Sequence, residues 1–67
     1  MKRFIEVTEK ESGLKVLTAV DRIMNVVLDD DGIVFIETGL DSRGKSTGIV
    51  VSETYGEIKQ KLRESEV

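Results

Sequence analysis

The string Gly39-Leu40-Asp41-Ser42-Arg43-Gly44-Lys45-Ser46 has the spacing of a phosphate-binding loop: Gly, four residues, Gly, Lys, then a hydroxyl residue. In such a loop successive amides cradle phosphate oxygens, the Lys reaches the terminal phosphates and the hydroxyl holds Mg²⁺. The string also follows an apolar run, Ile33 to Ile36. What comes after it argues the other way. A phosphate loop opens a helix whose first amides face the anion, whereas Thr47-Gly48-Ile49-Val50-Val51 is β-branched and contains Gly. The stretch after Ser46 is also short for a parallel sheet with a second, Mg²⁺-binding carboxylate. The expectation is a flexible hairpin loop whose anion contacts, if any, are modest and come from Arg43, Lys45 and exposed amides.

A second candidate is Asp29-Asp30-Asp31-Gly32. Aligning Gly32 with the glycine of a calcium-binding helix-loop-helix puts Val27 at the first ligand position and Thr38 at the last. Both should be carboxylates, so a solvated β-turn is expected instead. The sequence has no His and no Cys, which removes the imidazole base, the thiol nucleophile and the ordinary zinc ligands. Chemistry would fall to carboxylates, lysines and hydroxyls in a domain with little room for a cleft. We expect no enzyme, no cofactor and no metal.

Binding is the remaining class. Ten Lys and Arg stand against 13 Asp and Glu, for a net charge of −3 with the signs interspersed. Nucleic-acid modules usually carry a basic stripe, because phosphate neutralisation supplies most of their affinity. Lys2, Arg3 and Phe4 form a small basic and aromatic cluster, and Lys2, Arg3, Arg43 and Lys45 are the candidate anion or partner contacts. The other aromatics, Phe35 and Tyr55, sit inside apolar patterns and read as packing residues rather than a base-stacking platform. An RNA-binding protein of small-barrel type is therefore the alternative reading. Charges at Lys2, Arg3 and Glu6 interrupt any apolar stretch near the N-terminus, so neither a secretory signal nor a membrane span is expected, nor is a lipid anchor. The cytoplasm is the default compartment.

The elements that must carry these residues are mostly strands. The patterning predicts one mainly β domain over residues 1–67: a five-stranded antiparallel sheet or small barrel with one C-terminal α-helix. Strands are expected at about 3–8, 14–20, 23–28, 33–38 and 47–52, with the helix at about 54–64. Ile5 and Val7 share one face of the first strand, and Leu14, Val16, Thr18 and Val20 one face of the second. Thr54 and Glu57 have capping-box spacing, and Tyr55, Ile58 and Leu62 form a helical apolar stripe. Glu57 and Lys61 are spaced for an i,i+4 ion pair.

One feature of the strands is unusual for an antiparallel sheet with a wet face. Ile23 and Val27 alternate with Met24, Val26 and Leu28, and Ile33 and Phe35 with Val34 and Ile36. Both faces of this hairpin ask for burial, where clean alternation is the norm. The helix can cover one. A chain of 67 residues buries only about 60% of its unfolded surface, so a second copy is the expected cover for the other. The interface candidates are Met24, Val26, Leu28, Val34 and Ile36. The expected role is a non-catalytic interaction or structural module acting as a homo-oligomer.

The segment Val51-Ser52-Glu53-Thr54-Tyr55-Gly56-Glu57-Ile58-Lys59-Gln60-Lys61-Leu62, together with Gly13 to Val27, resembles the small FlbD-like flagellar proteins and similar short bacterial and phage proteins. In that family a short strand runs into a Glu-Ser or Glu-Thr capped helix. The resemblance implies a strand-rich fold with a terminal helix and a non-enzymatic role.

Overall fold

The computed structural model describes residues 3–65. The chain is mainly β with one C-terminal helix. The strands are β1 (Phe4–Thr8), β2 (Lys15–Ala19), β3 (Asn25–Leu28), β4 (Val34–Leu40) and β5 (Ser46–Val51), followed by helix α1 (Tyr55–Glu64). They form two antiparallel sheets, β1-β2 and β3-β4-β5, rather than one five-stranded sheet or a closed barrel. The third strand is shorter than the apolar pattern predicts. A 3-10 turn over Val20–Arg22 takes up the chain before it.

The two sheets meet where β1 runs past its pairing with β2. The Thr8 carbonyl accepts from the Ser52 amide at 2.9 Å, and the Lys10 amide donates to the Val50 carbonyl at 2.9 Å. Glu9 and Val51 form the bridge between them. A side chain reinforces this corner. Glu53 accepts from the Thr8 amide at 2.9 Å through Oε1 and from the Thr8 hydroxyl at 3.0 Å through Oε2.

Partial burial pushes the Glu53 carboxyl up, but the amides of Thr8 and of Glu53 itself, the Thr8 hydroxyl and the Lys61 charge outweigh it and hold it below the ordinary value. A folded-state value depressed in this way gives stability above the unfolded value that is lost as the pH falls. The melting temperature should therefore hold above about pH 4.5 and decline below it, and Glu53→Gln should flatten part of that decline. A melting temperature that stays level from pH 5 to 3 would contradict the corner's role.

The core lies between the sheets and the helix. Ile5 and Val7 from β1, Val34 and Ile36 from β4, Val51 from β5 and Ile58 from α1 are buried. Val16, Val20, Ile23, Val26, Ile49 and Leu62 pack around them. Register explains the selection. Val26, Ile36 and Ile49 stand in one cross-strand row, and Leu28, Val34 and Val51 in another on the same side. Leu14, expected within the second strand on the face shared by Val16, instead precedes β2 and is 66% exposed.

Helix α1 begins where the capping box places it. Thr54 Oγ1 accepts from the Glu57 amide at 3.1 Å, and the Glu57 carboxylate accepts from the Thr54 amide at 2.8 Å. Glu57 thus serves the cap, and Lys61 acts on Glu53 instead. Of the apolar stripe, Ile58 is buried and Leu62 half-buried, while Tyr55 sits at the rim with Lys59 Nζ 5.7 Å from its ring centre. No helix among the described residues is long and apolar enough to cross a membrane.

Candidate functional site

The phosphate-loop string forms the tip of a β-hairpin, with Gly39 inside β4 and Gly48 inside β5 rather than at the edges of a long loop. Its amides are already engaged. Asp41 Oδ1 accepts from the Arg43 amide at 2.8 Å and from the Lys45 amide at 2.9 Å. The Gly44 amide donates to the Asp41 carbonyl at 3.0 Å. An internal carboxylate thus occupies the donors that a phosphate would need, and a strand follows where a helix is required. Titration with ATP and Mg²⁺ should give neither saturable binding nor turnover. Tight binding lost in Lys45→Ala would overturn this.

The acidic triplet forms the same turn. Asp29 Oδ1 accepts from the Asp31 amide at 2.9 Å and from the Ile33 amide at 2.8 Å, and the Gly32 amide donates to the Asp29 carbonyl at 3.1 Å. Gly32 and Gly44 close the two turns at φ of 82° and 81°, where a side chain would be strained. In each, the leading Asp replaces part of the backbone ladder with its own carboxylate. Among the described residues no group of three or more potential ligand side chains is placed to hold a metal ion.

Of the other contact candidates, Arg3 is exposed and Lys2 lies outside the described residues. Phe4 is 47% exposed, but it stands opposite Ala19 and beside Glu6 rather than among other rings. A cavity of about 250 Å³ lies between β1 and the end of α1, lined by Phe4, Ile5, Glu6, Lys61, Glu64 and Ser65. It is open, and its two carboxylates and one ammonium converge on no single point described by a hydrogen bond.

The interface candidates divide. Val34 and Ile36 are 2% and 0% exposed, because β1 and α1 cover their face, and Val26 packs against the same core. They are internal packing residues, which corrects the expectation that they meet another subunit. Met24 and Leu28 are exposed.

The uncovered apolar face is the opposite one. Val27, Phe35 and Val50 are paired across β3, β4 and β5 and form one continuous row on the outer side. Val27 is 46% and Val50 36% exposed, and Phe35 is half-buried. The next row is polar. Glu37 accepts from Asn25 Nδ2 at 2.6 Å through Oε1 and from Ser46 Oγ through Oε2. The Ser46 and Asn25 hydrogen bonds hold its carboxyl below the ordinary value, against a small desolvation effect. The result is an apolar bar three strands wide with a charged, hydrogen-bonded border. Neighbouring apolar side chains across strands stabilise a sheet, but they leave such a bar in water unless something covers it. Alternation in β3 and β4 pointed to two apolar faces; only the side on which the helix would dock was unreadable.

Compared with protein-family models, curated proteins and solved structures, the chain finds no match in any of the three.

Proposed function

We propose that the protein is a non-catalytic interaction module that works as a homo-oligomer, with the outer face of β3-β4-β5 as its association surface. The observation that carries this reading is the exposed Val27–Phe35–Val50 bar. Apolar surface that spans three strands beside a polar border has the anatomy of an interface core and rim. The inner face of β3-β4-β5 is spent on the chain's own core, which leaves this bar as apolar surface of the same sheet that a partner could cover. A role as an accessory piece of a larger bacterial or phage assembly fits the resemblance of its C-terminal segment to the FlbD-like flagellar proteins.

Sedimentation equilibrium between about 10 μM and 1 mM, spanning the range of weak to ordinary association, tests the reading. We expect the mass to rise above the 7.5 kDa of one chain as the concentration increases. A constant mass of 7.5 kDa across that range would remove homo-oligomerisation.

A further inference from the structure

We propose that a partner protein docks an extended segment as an added strand along the open half of β1. The segment runs antiparallel to β1, with a basic side chain opposite Glu6 and an apolar one opposite Phe4. This contact is separate from the outer bar of β3-β4-β5 and does not depend on self-association.

Parity fixes where the backbone groups of β1 point. The Glu9 amide donates to the Leu14 carbonyl and the Val20 amide to the Arg3 carbonyl, both at 2.9 Å. With the β1-β2 register, the residues hydrogen-bonded to β2 are therefore Arg3, Ile5, Val7 and Glu9. Phe4, Glu6, Thr8 and Lys10 turn their amides and carbonyls the other way. There Thr8 and Lys10 meet the end of β5, through the Ser52 amide and the Val50 carbonyl. The ladder then stops. The chain bends at Ser52 and Glu53 into α1, and the Glu53 carboxylate takes the Thr8 amide at 2.9 Å in place of a main-chain rung. Among the described residues no hydrogen bond reaches the outward amides and carbonyls of Phe4 and Glu6.

Space is left beside them. The cavity of about 250 Å³ lies between this stretch and the end of α1, lined by Phe4, Ile5, Glu6, Lys61, Glu64 and Ser65. Small-molecule pockets typically hold about 300–1,000 Å³, whereas unpaired edge groups are a template for one more strand. A segment that continues the direction of β5 pairs antiparallel with β1. Its residues opposite Glu6 and Phe4 each exchange two main-chain hydrogen bonds. Their side chains lie on the outer face with those of Phe4, 47% exposed, and Glu6, also exposed.

Cross-strand neighbours then set the chemistry. Glu6 favours Lys or Arg opposite it, and the Phe4 ring favours a β-branched or aromatic residue. Glu64 lines the same trough at the negative, C-terminal end of α1 and adds to the preference for a cation. The Lys61 charge acts on Glu53. In chain order the segment is therefore basic, any residue, apolar.

The probe is a capped peptide of about six residues with Lys-Thr-Val at its centre, titrated to about 5 mM into the native chain and followed by amide NMR. Shifts and slowed hydrogen exchange at Phe4 and Glu6 are expected. Replacing the probe's Lys by Glu should weaken binding about fivefold, and Glu6→Lys should reverse that preference. A probe N-methylated at its Lys and Val amides, which donate to the Glu6 and Phe4 carbonyls, should not bind. Glu6→Pro removes an amide that β2 does not use, so circular dichroism should show a folded chain without the site. Should proline unfold β1, the charge exchange in Glu6→Lys still decides.

No shift at the highest peptide concentration, or shifts at the edges of β2 and β3 alone, would overturn the added strand. So would undiminished binding of the N-methylated probe. Equal affinity for the Lys and Glu probes would overturn the assigned basic residue. The same shifts on concentrating the chain without peptide would make a second copy the occupant and overturn a separate partner. None of these results bears on self-association through the outer bar, which sedimentation reads separately.

Discussion

Replacing Gly48 by Ala is expected to unfold the protein. Gly48 is paired with Glu37 beside the irregularity in the β4-β5 register between Glu37 and Gly39. A Cβ at Gly48 would overlap the Ile36 carbonyl oxygen and stand 2.9 Å from its carbon and 3.0 Å from the Glu37 Cα. All three atoms belong to backbone, so no side chain can swing aside to relieve the clash. Strand β5 would have to move away from β4, taking Val51 out of the core and disturbing the corner at Ser52 and Glu53. A cost above about 3 kcal/mol is in the range of overpacking at its most severe, and a chain this small holds only about 3–5 kcal/mol in total. Gly39→Ala is the control. Its Cβ would meet Thr47 Oγ1 at 3.6 Å, an ordinary contact, and stability should change by less than about 1 kcal/mol. Thermal melts of the two variants read the difference directly. A Gly48→Ala protein that melts like the native one would show that β5 can slide without cost.

Truncating Ile58 to Ala should be nearly as damaging. Ile58 is the one fully buried residue of α1, and it joins the helix to side chains from β1, β4 and β5. Removal of a buried Ile side chain down to Cβ costs about 2–5 kcal/mol, according to how far the cavity collapses. Here the walls come from two sheets hydrogen-bonded at one corner, which limits that collapse. We expect loss of cooperative unfolding for Ile58→Ala and a milder cost of about 1 kcal/mol for Ile58→Val. Equilibrium denaturation in urea measures both. Equal midpoints for Ile58→Ala and the native chain would mean that the helix is not part of the core.

These two positions also show what could be read in advance and what could not. Ile58 lies in a helical stripe that begins at a capping box, so its burial follows from local spacing. Gly48 carries a weaker signal: an isolated glycine within a β-branched run suggests close backbone approach, yet the phosphate-loop spacing of Gly39 to Ser46 draws attention to the loop instead. The two Asp-x-x-Gly turns, Asp29 to Gly32 and Asp41 to Gly44, share a spacing that is visible in the sequence. Reading them as a repeated hairpin turn would have predicted the carboxylate-to-amide bonds that close the anion site.

The division into two sheets had no local signal. The corner at which the sheets meet rests on the Lys10–Val50 and Thr8–Ser52 contacts, between residues more than half the chain apart. The choice of buried face in β3 and β4 is of the same kind. Either face of an alternating apolar run could receive a helix, and docking of Ile58 decides that Val34 and Ile36 are internal. That choice is why the association surface we propose is the row behind Val26, Val34 and Ile36. The burial of Val34 and Ile36 thus determines which residues a second copy would touch.

The most direct test of that surface is the amide NMR spectrum of the native chain followed from dilute to millimolar concentration. Progressive shifts centred on Val27, Phe35 and Val50 and leaving Leu17 unchanged are the predicted result. Shifts confined to β1 and β2, or spectra that do not change with concentration, would contradict it.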